Sequence, residues 1–383
     1  MTKLLMVATV PVTFEAFLMP FARHFRARGW TVDGMAAGLP DSPAAEGLDR
    51  AWDAAWSRNP LEPSNLRSAR GIAKIVAAQR YDLVHVHTPV AGFVTRWALR
   101  RRPPEVRLAY TAHGFHFAPG LHPLRNAVFF GIESLACRWT DELVVINSDD
   151  AEVARRHHML PPERVRLVPG IGVDVERFDR ASVPAQDVRE VRERLGLGPE
   201  TPLLTMVAEF TPNKRHAHVL RALARAREPV HVAFAGDGPT LEASRRLAAG
   251  LGVAGRAHFL GWCEDVRPLV AASAATVLFS AREGLPRSSM ESLAMEVPVI
   301  GADVRGLRDL LGEGAGVLVP AGDVGALASA IDELVRDPAG AAGMGREGRR
   351  MMCGRYSLRA ILAEYDALYA DMLAAREGAA PTA

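Results

Sequence analysis

The 383-residue chain is long enough for two domains of ordinary size, each with its own core. Hydrophobic residues make up 49% and charged residues 23%, the balance of a soluble globular protein and not of a disordered or fibrous one. A formal charge of +2, with no basic run interleaved with aromatics, excludes the electrostatic footprint of a nucleic-acid binder.

Leu4 to Ala8 is an apolar run of strand length that leads straight into Pro11 and a helical pattern, so it reads as a first strand and not as a signal peptide. Thr13 can cap the helix that follows, whose apolar positions Phe14, Phe17, Leu18, Phe21 and Phe25 recur at helical spacing. Gly29 ends that helix and Thr31 to Met35 resumes as strand. Asp41 to Ser64 is expected to be a long loop with some helix. Strand and helix then alternate through Leu83–Val86, Ala91–Arg100, Leu108–Thr111 and Leu143–Ile146, which predicts a doubly wound α/β domain over 1–182. Residues 181–200, punctuated by Pro184 and Gly196–Pro199, read as a linker.

The pattern restarts in a second α/β domain over 200–355. Its strands are Leu203–Val207, Val230–Ala235, Ala257–Leu260, Ala275–Phe279, Pro298–Gly301 and Gly316–Val319. Its helices include His216–Arg227 and Thr240–Leu251, and alanine-rich helices near 323–334 and 357–373 close the chain. Two such domains facing each other would bind a ligand in an interdomain cleft at their strand C-termini. Cys137, Cys263 and Cys353 are far apart and in no metal or redox spacing, which points to a reducing, cytoplasmic setting. No apolar stretch approaches the ~18 residues of a membrane span. The arginines Arg96, Arg100, Arg101, Arg102 and Arg107 read as a solvated helix end, with contact to an anionic lipid surface as the second reading.

The densest chemistry lies in Ser280–Glu291. An apolar strand runs into a Gly-Leu-Pro turn and a helix opening near Ser288, with Glu283 before the turn and Glu291 inside the helix. Such a layout aims backbone N–H groups and a helix N-terminus at an anion, and places a carboxylate at each end of a ligand with phosphate in its middle and hydroxyls at both ends. A nucleotide sugar has that shape. Lys214, at a strand end in Glu209–Arg215, is placed to meet phosphate. The glycines of Ala235–Pro239 read as structural. In the first domain His113 follows an apolar run and precedes a glycine, where a neutral imidazole could bond a sugar hydroxyl or be satisfied within the core. His85 and His87 share a strand face without a third metal ligand, so packing or pocket lining is favoured over a metal site. Dinucleotide and P-loop glycine motifs are absent, and no Asp-x-Asp pair offers to hold a metal-bound diphosphate.

These stretches together resemble the retaining glycosyltransferases of family 4, which have two facing Rossmann-like domains (the GT-B fold). The resemblance covers essentially the whole chain and is densest over Leu203–Leu311. Its signature E-G-[FL]-P-x-x-x-x-E is matched in full from Glu283 to Glu291, and Ala235–Pro239, Phe259–Gly261 and Lys214 match flanking pieces. The resemblance implies that Glu291 holds the ribose and Glu283 meets the donor sugar near the reacting carbon. Gly284, Leu285 and Pro286 would supply backbone contacts, Lys214 would neutralise the diphosphate, and Gly261 with Trp262 would read the base. His113 matches the histidine that approaches the donor sugar, and Thr13, Phe14 and His87 fall on the acceptor side. It also implies that the C-terminal helix near 357–375 packs back on the first domain. An arginine common five positions before the lysine is replaced by Glu209, leaving Arg215 or Arg287 as a second diphosphate cation, or none. The Thr9–Phe14 loop lacks the usual glycine pair. That loop, Thr111–Phe117 and Asp303–Asp309 resemble a subgroup that adds hexose or N-acetylhexosamine from a UDP-sugar to polyprenyl-diphosphate-linked sugars in bacteria. The expectation is therefore a metal-independent, cytoplasmic hexosyltransferase without a resident cofactor, with peripheral membrane contact allowed and no nucleic-acid partner. A natural-product acceptor, a UDP-sugar 2-epimerase, a phosphorylase and a non-catalytic nucleotide-sugar sensor are the alternatives.

Overall fold

A computed structural model describes residues 1–57, 62–117 and 122–377. The chain divides into two compact units, Met1–Ile171 with Ile361–Ala383, and Gly172–Ala360. The first carries strands β1 (Lys3–Val7), β2 (Thr31–Ala36), β3 (Arg50–Asp53), β4 (Leu83–His87), β5 (Arg107–Ala112), β6 (Glu142–Val145) and β7 (Val165–Leu167). The second carries β8 (Leu203–Val207), β9 (His231–Ala235), β10 (Ala257–Gly261), β11 (Ala275–Leu278), β12 (Val299–Ala302) and β13 (Gly316–Val319).

Both sheets are parallel throughout, in the orders β3-β2-β1-β4-β5-β6-β7 and β10-β9-β8-β11-β12-β13. Helical crossovers cover such sheets on both faces, which is why β4 is buried at every position and its sequence is apolar except for its histidines. Strand order reverses beside β1 in the first sheet and beside β8 in the second. The loops after β1 and β4, and after β8 and β11, therefore diverge and leave a crevice at each sheet's C-terminal edge.

Several elements differ from the sequence reading. Helix begins at Pro11 and not after Thr13, because proline at the first helical position needs no hydrogen bond for its nitrogen; Val10 occupies the cap and Thr13 makes no side-chain cap. Phe14–Leu18 then widens into a π-turn before the helix Met19–Ala27. The expected loop 41–64 contains the edge strand β3, whose Arg-Ala-Trp-Asp sequence has no apolar run to mark it. The expected linker 181–200 contains the helix Ala185–Arg194, and the boundary between the units falls earlier, at Ile171–Gly172.

The last helix, Leu358–Glu377, belongs to the first unit. Ile361, Tyr365, Leu368, Tyr369 and Met372 pack in one core with Leu4, Met6, Phe21 and Phe25. On its polar side Asp366 accepts from His24 at 2.9 Å and pairs with Arg28 at 2.7 Å.

The arginine cluster proves to be internal wiring. Arg96 is fully buried, 2.8 Å from Glu133 and 3.8 Å from the centre of the Tyr110 ring. Arg102 donates to the carbonyls of Val106 and Trp139 and pairs with Asp141, while Arg107 reaches the Ala375 carbonyl and Arg100 caps that of Trp97. Arg96, Arg102 and Arg107 thus complete backbone carbonyls and acids, while Arg100 and Arg101 are exposed, as a solvated helix end requires. Arg96→Leu strands the Glu133 carboxylate in the core, and we expect a loss of about 3–5 kcal/mol. Urea unfolding checks it, with the double change Arg96→Met/Glu133→Leu recovering most of the loss.

Candidate active site

In the second unit the crevice beside β8 gathers the residues of the E-x7-E stretch. Ala281 N–H donates to the Asn213 carbonyl at 2.7 Å, and the Asn213 amide donates to the Arg282 carbonyl at 3.0 Å. These two bonds stitch the loop after β8 to the loop after β11. They bring Lys214 Nζ to 2.6 Å from Glu283 Oε1, both side chains being largely buried. The helix Arg287–Ala294 starts directly after the Pro286 turn, and Arg287 Nε lies 2.6 Å from Glu291 Oε1 one turn on. Burial pushes the Glu291 carboxyl up, and the Arg287 charge opposes that shift. Each acid of the motif is thus matched with one cation.

Two close backbone approaches hold this geometry. Gly306, at φ +78°, sits where an added Cβ would be 2.0 Å from the Gly284 carbonyl oxygen, so the loop after β12 rests directly on the Gly284–Pro286 turn. Gly236 bears in the same way on the Ala208 carbonyl, at 2.1 Å from an added Cβ, which fixes the loop after β8 and agrees with a structural role for the glycines of Ala235–Pro239. Beneath the turn, the hydroxyls of Ser280 and Ser289 are buried with no hydrogen-bond partner among the described residues. Gly261 closes β10 at φ +70°, its carbonyl accepting from Gly236 N–H at 2.7 Å, and Trp262 beyond it is 81% exposed.

The two arginines expected as a second cation stand in different places. Arg215, at a strained φ of +54°, brings Nη1 to 3.8 Å from a Cβ built at Gly322, in the loop after β13, two strands away from β11. Arg287 stands on the motif itself. Glu209 is exposed.

In the first unit the site residues collect at the ends of β1, β4 and β5. His113 follows β5 and stacks on Phe17 with ring centres 6.4 Å apart. His87 Nδ1 lies 3.2 Å from His113 Nε2, and the His85 ring stacks on His87 at 4.4 Å. His85 is itself held by the Tyr369 hydroxyl and by Thr111 Oγ1 at 2.8 Å. Burial pushes His85 down to about 3 and His113 down to about 4, and His87 also lies well below the ordinary histidine value, so all three rings are neutral near pH 7.

The three residues expected on the acceptor side, Thr13, Phe14 and His87, all lie in the core. Phe14 is fully buried against Gly34 and Thr13 is 6% exposed, because the helix starting at Pro11 turns both inward. The half-buried Phe17, one of the apolar positions at helical spacing, is the aromatic beside His113. Asp150 was also missed. It is fully buried and accepts from Phe115 N–H at 3.0 Å and from the Asn147 amide at 2.9 Å, anchoring the loop that carries His113. Its signal was the Asn-Ser-Asp-Asp helix start, where Asn147 caps Asp150. Thr88, with φ +69°, had no signal in sequence.

Two parallel α/β units, one carrying a paired E-x7-E motif at its switch point, define a glycosyltransferase of the GT-B fold. Residues 187–351 match the family described as glycosyl transferases group 1, and residues 15–177 match glycosyltransferase family 4. EpsD of Bacillus subtilis (strain 168), named as a glycosyltransferase, is 33% identical over 97% of each chain. The Escherichia coli UDP-Gal:alpha-D-GlcNAc-diphosphoundecaprenol alpha-1,3-galactosyltransferase is 26% identical over 71% of each. Among solved structures, Anabaena Alr3699/HepE in complex with UDP superposes with a TM-score of 0.79 at 19% identity, over 97% of this chain and 100% of that one. The chain belongs to glycosyltransferase family 4.

The neutral histidines have a consequence for stability. Between pH 6.5 and about 4 the unfolded chain takes up protons that His85 and His113 refuse when folded. Their effect is therefore to lower stability as pH falls through that window and to leave it unchanged above it. Urea unfolding at pH 7.5 and pH 5 measures this, and His85→Gln should flatten the slope.

Proposed function

We propose that the chain transfers a hexose or N-acetylhexosamine from a UDP-sugar to an acceptor hydroxyl, with retention at the anomeric carbon. The acceptor is a lipid-linked saccharide of bacterial polysaccharide or glycoconjugate synthesis, in keeping with the activity for which the Escherichia coli relative is named. The observation that carries this reading is the Lys214–Glu283 and Arg287–Glu291 pairing at one switch point. A diphosphate arriving there takes over Lys214 and Arg287 as partners and releases both carboxylates for hydroxyls: Glu291 for the ribose and Glu283 for the donor sugar. The start of the helix Arg287–Ala294 adds N–H groups to the same charge. Lysine, arginine and backbone dipoles then stabilise the departing diphosphate without a metal ion. No side chain serves as base: the leaving phosphate oxygen takes the acceptor proton on the face it departs from. Gly261 and the backbone of Trp262 hold the base, and His113 serves the sugar.

A peripheral membrane position is proposed from the helix Pro123–Cys137. Its outward face shows Leu124, Val128, Ile132 and Leu135 at helical spacing, while its one acid, Glu133, is buried against Arg96. Exposed Arg125 and Arg138 flank that stripe. An apolar helical face bordered by cations suits the surface of an anionic bilayer. No helix among the described residues is long and apolar enough to cross a membrane.

The test is UDP release from a panel of UDP-sugars, with and without a polyprenyl-diphosphate-linked sugar, followed by NMR of the product's anomeric configuration. One donor should respond sharply to acceptor and give a retained linkage. Glu283→Ala and Lys214→Ala should each cost about 100-fold or more in kcat/KM; undiminished transfer by Glu283→Ala would sink the assignment. For the membrane, Val128→Glu/Ile132→Glu should abolish sedimentation with anionic vesicles at low salt. Wild-type protein that stays in the supernatant removes that part of the reading.

A further inference from the structure

The contact between His87 and His113 contains more information than its 3.2 Å length. His87 is 2% exposed, and its other ring nitrogen, Nε2, is buried with no hydrogen-bond partner among the described residues. Burial keeps both rings neutral, so each carries one proton and the two facing nitrogens share one between them. Two arrangements satisfy the contact. If His113 Nε2–H donates, the His87 proton must sit on Nε2, as a buried N–H with nothing to receive it. If His87 Nδ1–H donates, the orphan on His87 is only an unused lone pair. Buried N–H groups without acceptors are the rarer defect, and leaving a donor unsatisfied carries the full cost of its desolvation.

We propose that His87 is a positioning residue whose Nδ1–H donates to His113 Nε2, fixing His113 as the Nδ1–H tautomer. The group that His113 then offers to a ligand is a hydrogen-bond donor and not a base. Its partner is an oxygen with lone pairs, either a sugar hydroxyl or a phosphate oxygen bearing the charge of a departing group. The surroundings are built to hold this orientation. His85 stacks on His87 with planes 24° apart, and Phe17 faces the His113 ring at 26°. Thr88, the residue after His87, keeps φ at +69°, a conformation disfavoured for a β-branched side chain. Thr9 retains it there, with the two hydroxyls 2.6 Å apart and Thr9 N–H donating to Thr88 Oγ1 at 3.1 Å. Strain of this kind persists only where neighbours over-determine the backbone, and here it fixes the strand end that carries His87.

The inference rests on the transferase reading for the ligand of His113, but its first test does not. Nitrogen-15 NMR of the full chain with labelled histidine should show His113 protonated at Nδ1 and bare at Nε2; a proton on Nε2 overturns the proposal. His87→Leu should leave His113 in mixed tautomers and lower kcat roughly tenfold, the worth of one neutral hydrogen bond, with donor KM unchanged. His87→Asn, whose amide N–H stands near the imidazole Nδ1 position, should restore both the tautomer and the rate. Equal urea midpoints for the Leu and Asn variants keep a folding defect apart from a positioning one. His113→Ala separates the two readings. Full UDP release by that variant would remove His113 from the transferase site. An inactive His113→Ala beside an unaffected His87→Leu would overturn only the role given to His87.

Discussion

Parallel strands cannot be joined by hairpins, and this one constraint arranges everything else in the molecule. Each strand must be followed by a crossover, so in each sheet the loops that leave the strands all emerge at the same edge. Where the strand order reverses, beside β1 and beside β8, neighbouring crossovers leave on opposite faces and their loops part. Side chains from segments far apart in the chain meet in that gap without local structure to bring them there. Lys214 and Glu283, 69 positions apart, are neighbours because β8 and β11 are. His87 and His113 meet because β4 lies against β5, with His87 in register with Thr111.

The two units solve opposite electrostatic problems with this geometry. The second unit concentrates ionised groups but pairs each acid of its motif with a cation. In the function proposed above, an incoming diphosphate would exchange one partner for another instead of entering a field of like charge. Such an exchange would let acidic residues line the binding place of an acidic ligand. The first unit concentrates titratable rings but keeps them neutral through burial, leaving polarity without charge. Hydrogen bonding to sugar oxygens suits such a surface, whereas binding of phosphate by charge suits the other.

Much of this was legible beforehand. Apolar runs of strand length, glycine and proline at their ends, and helical periodicity between them located most strands of both sheets. The spacing from Glu283 to Glu291 marked the stretch that the loops after β8 and β11 bring together with Lys214. The misses have physical causes. The strand β3 is a short edge whose pairing with β2 supplies what its own sequence does not. The helix starts at Pro11, three residues before the expected Phe14, and that shift turned Thr13 and Phe14 into the core and left Phe17 beside His113. The arginines near 100 looked like a surface patch because charge shows in a sequence, while the buried carbonyls and acids that consume it do not.

What the sequence by itself determined was therefore local: which segments are strands and helices, that they alternate twice, and that a strand-turn-helix with two glutamates lies in the second half. These properties depend on side-chain size, polarity and backbone freedom within a few residues. Only the tertiary structure decided which charges are paired, which histidine nitrogen is left over, and that the last helix completes the first unit. The Tyr369 hydroxyl meets His85 across 284 positions. No periodicity encodes such a meeting. It follows from the order in which buried parallel strands stack, a choice made by the packing of whole faces.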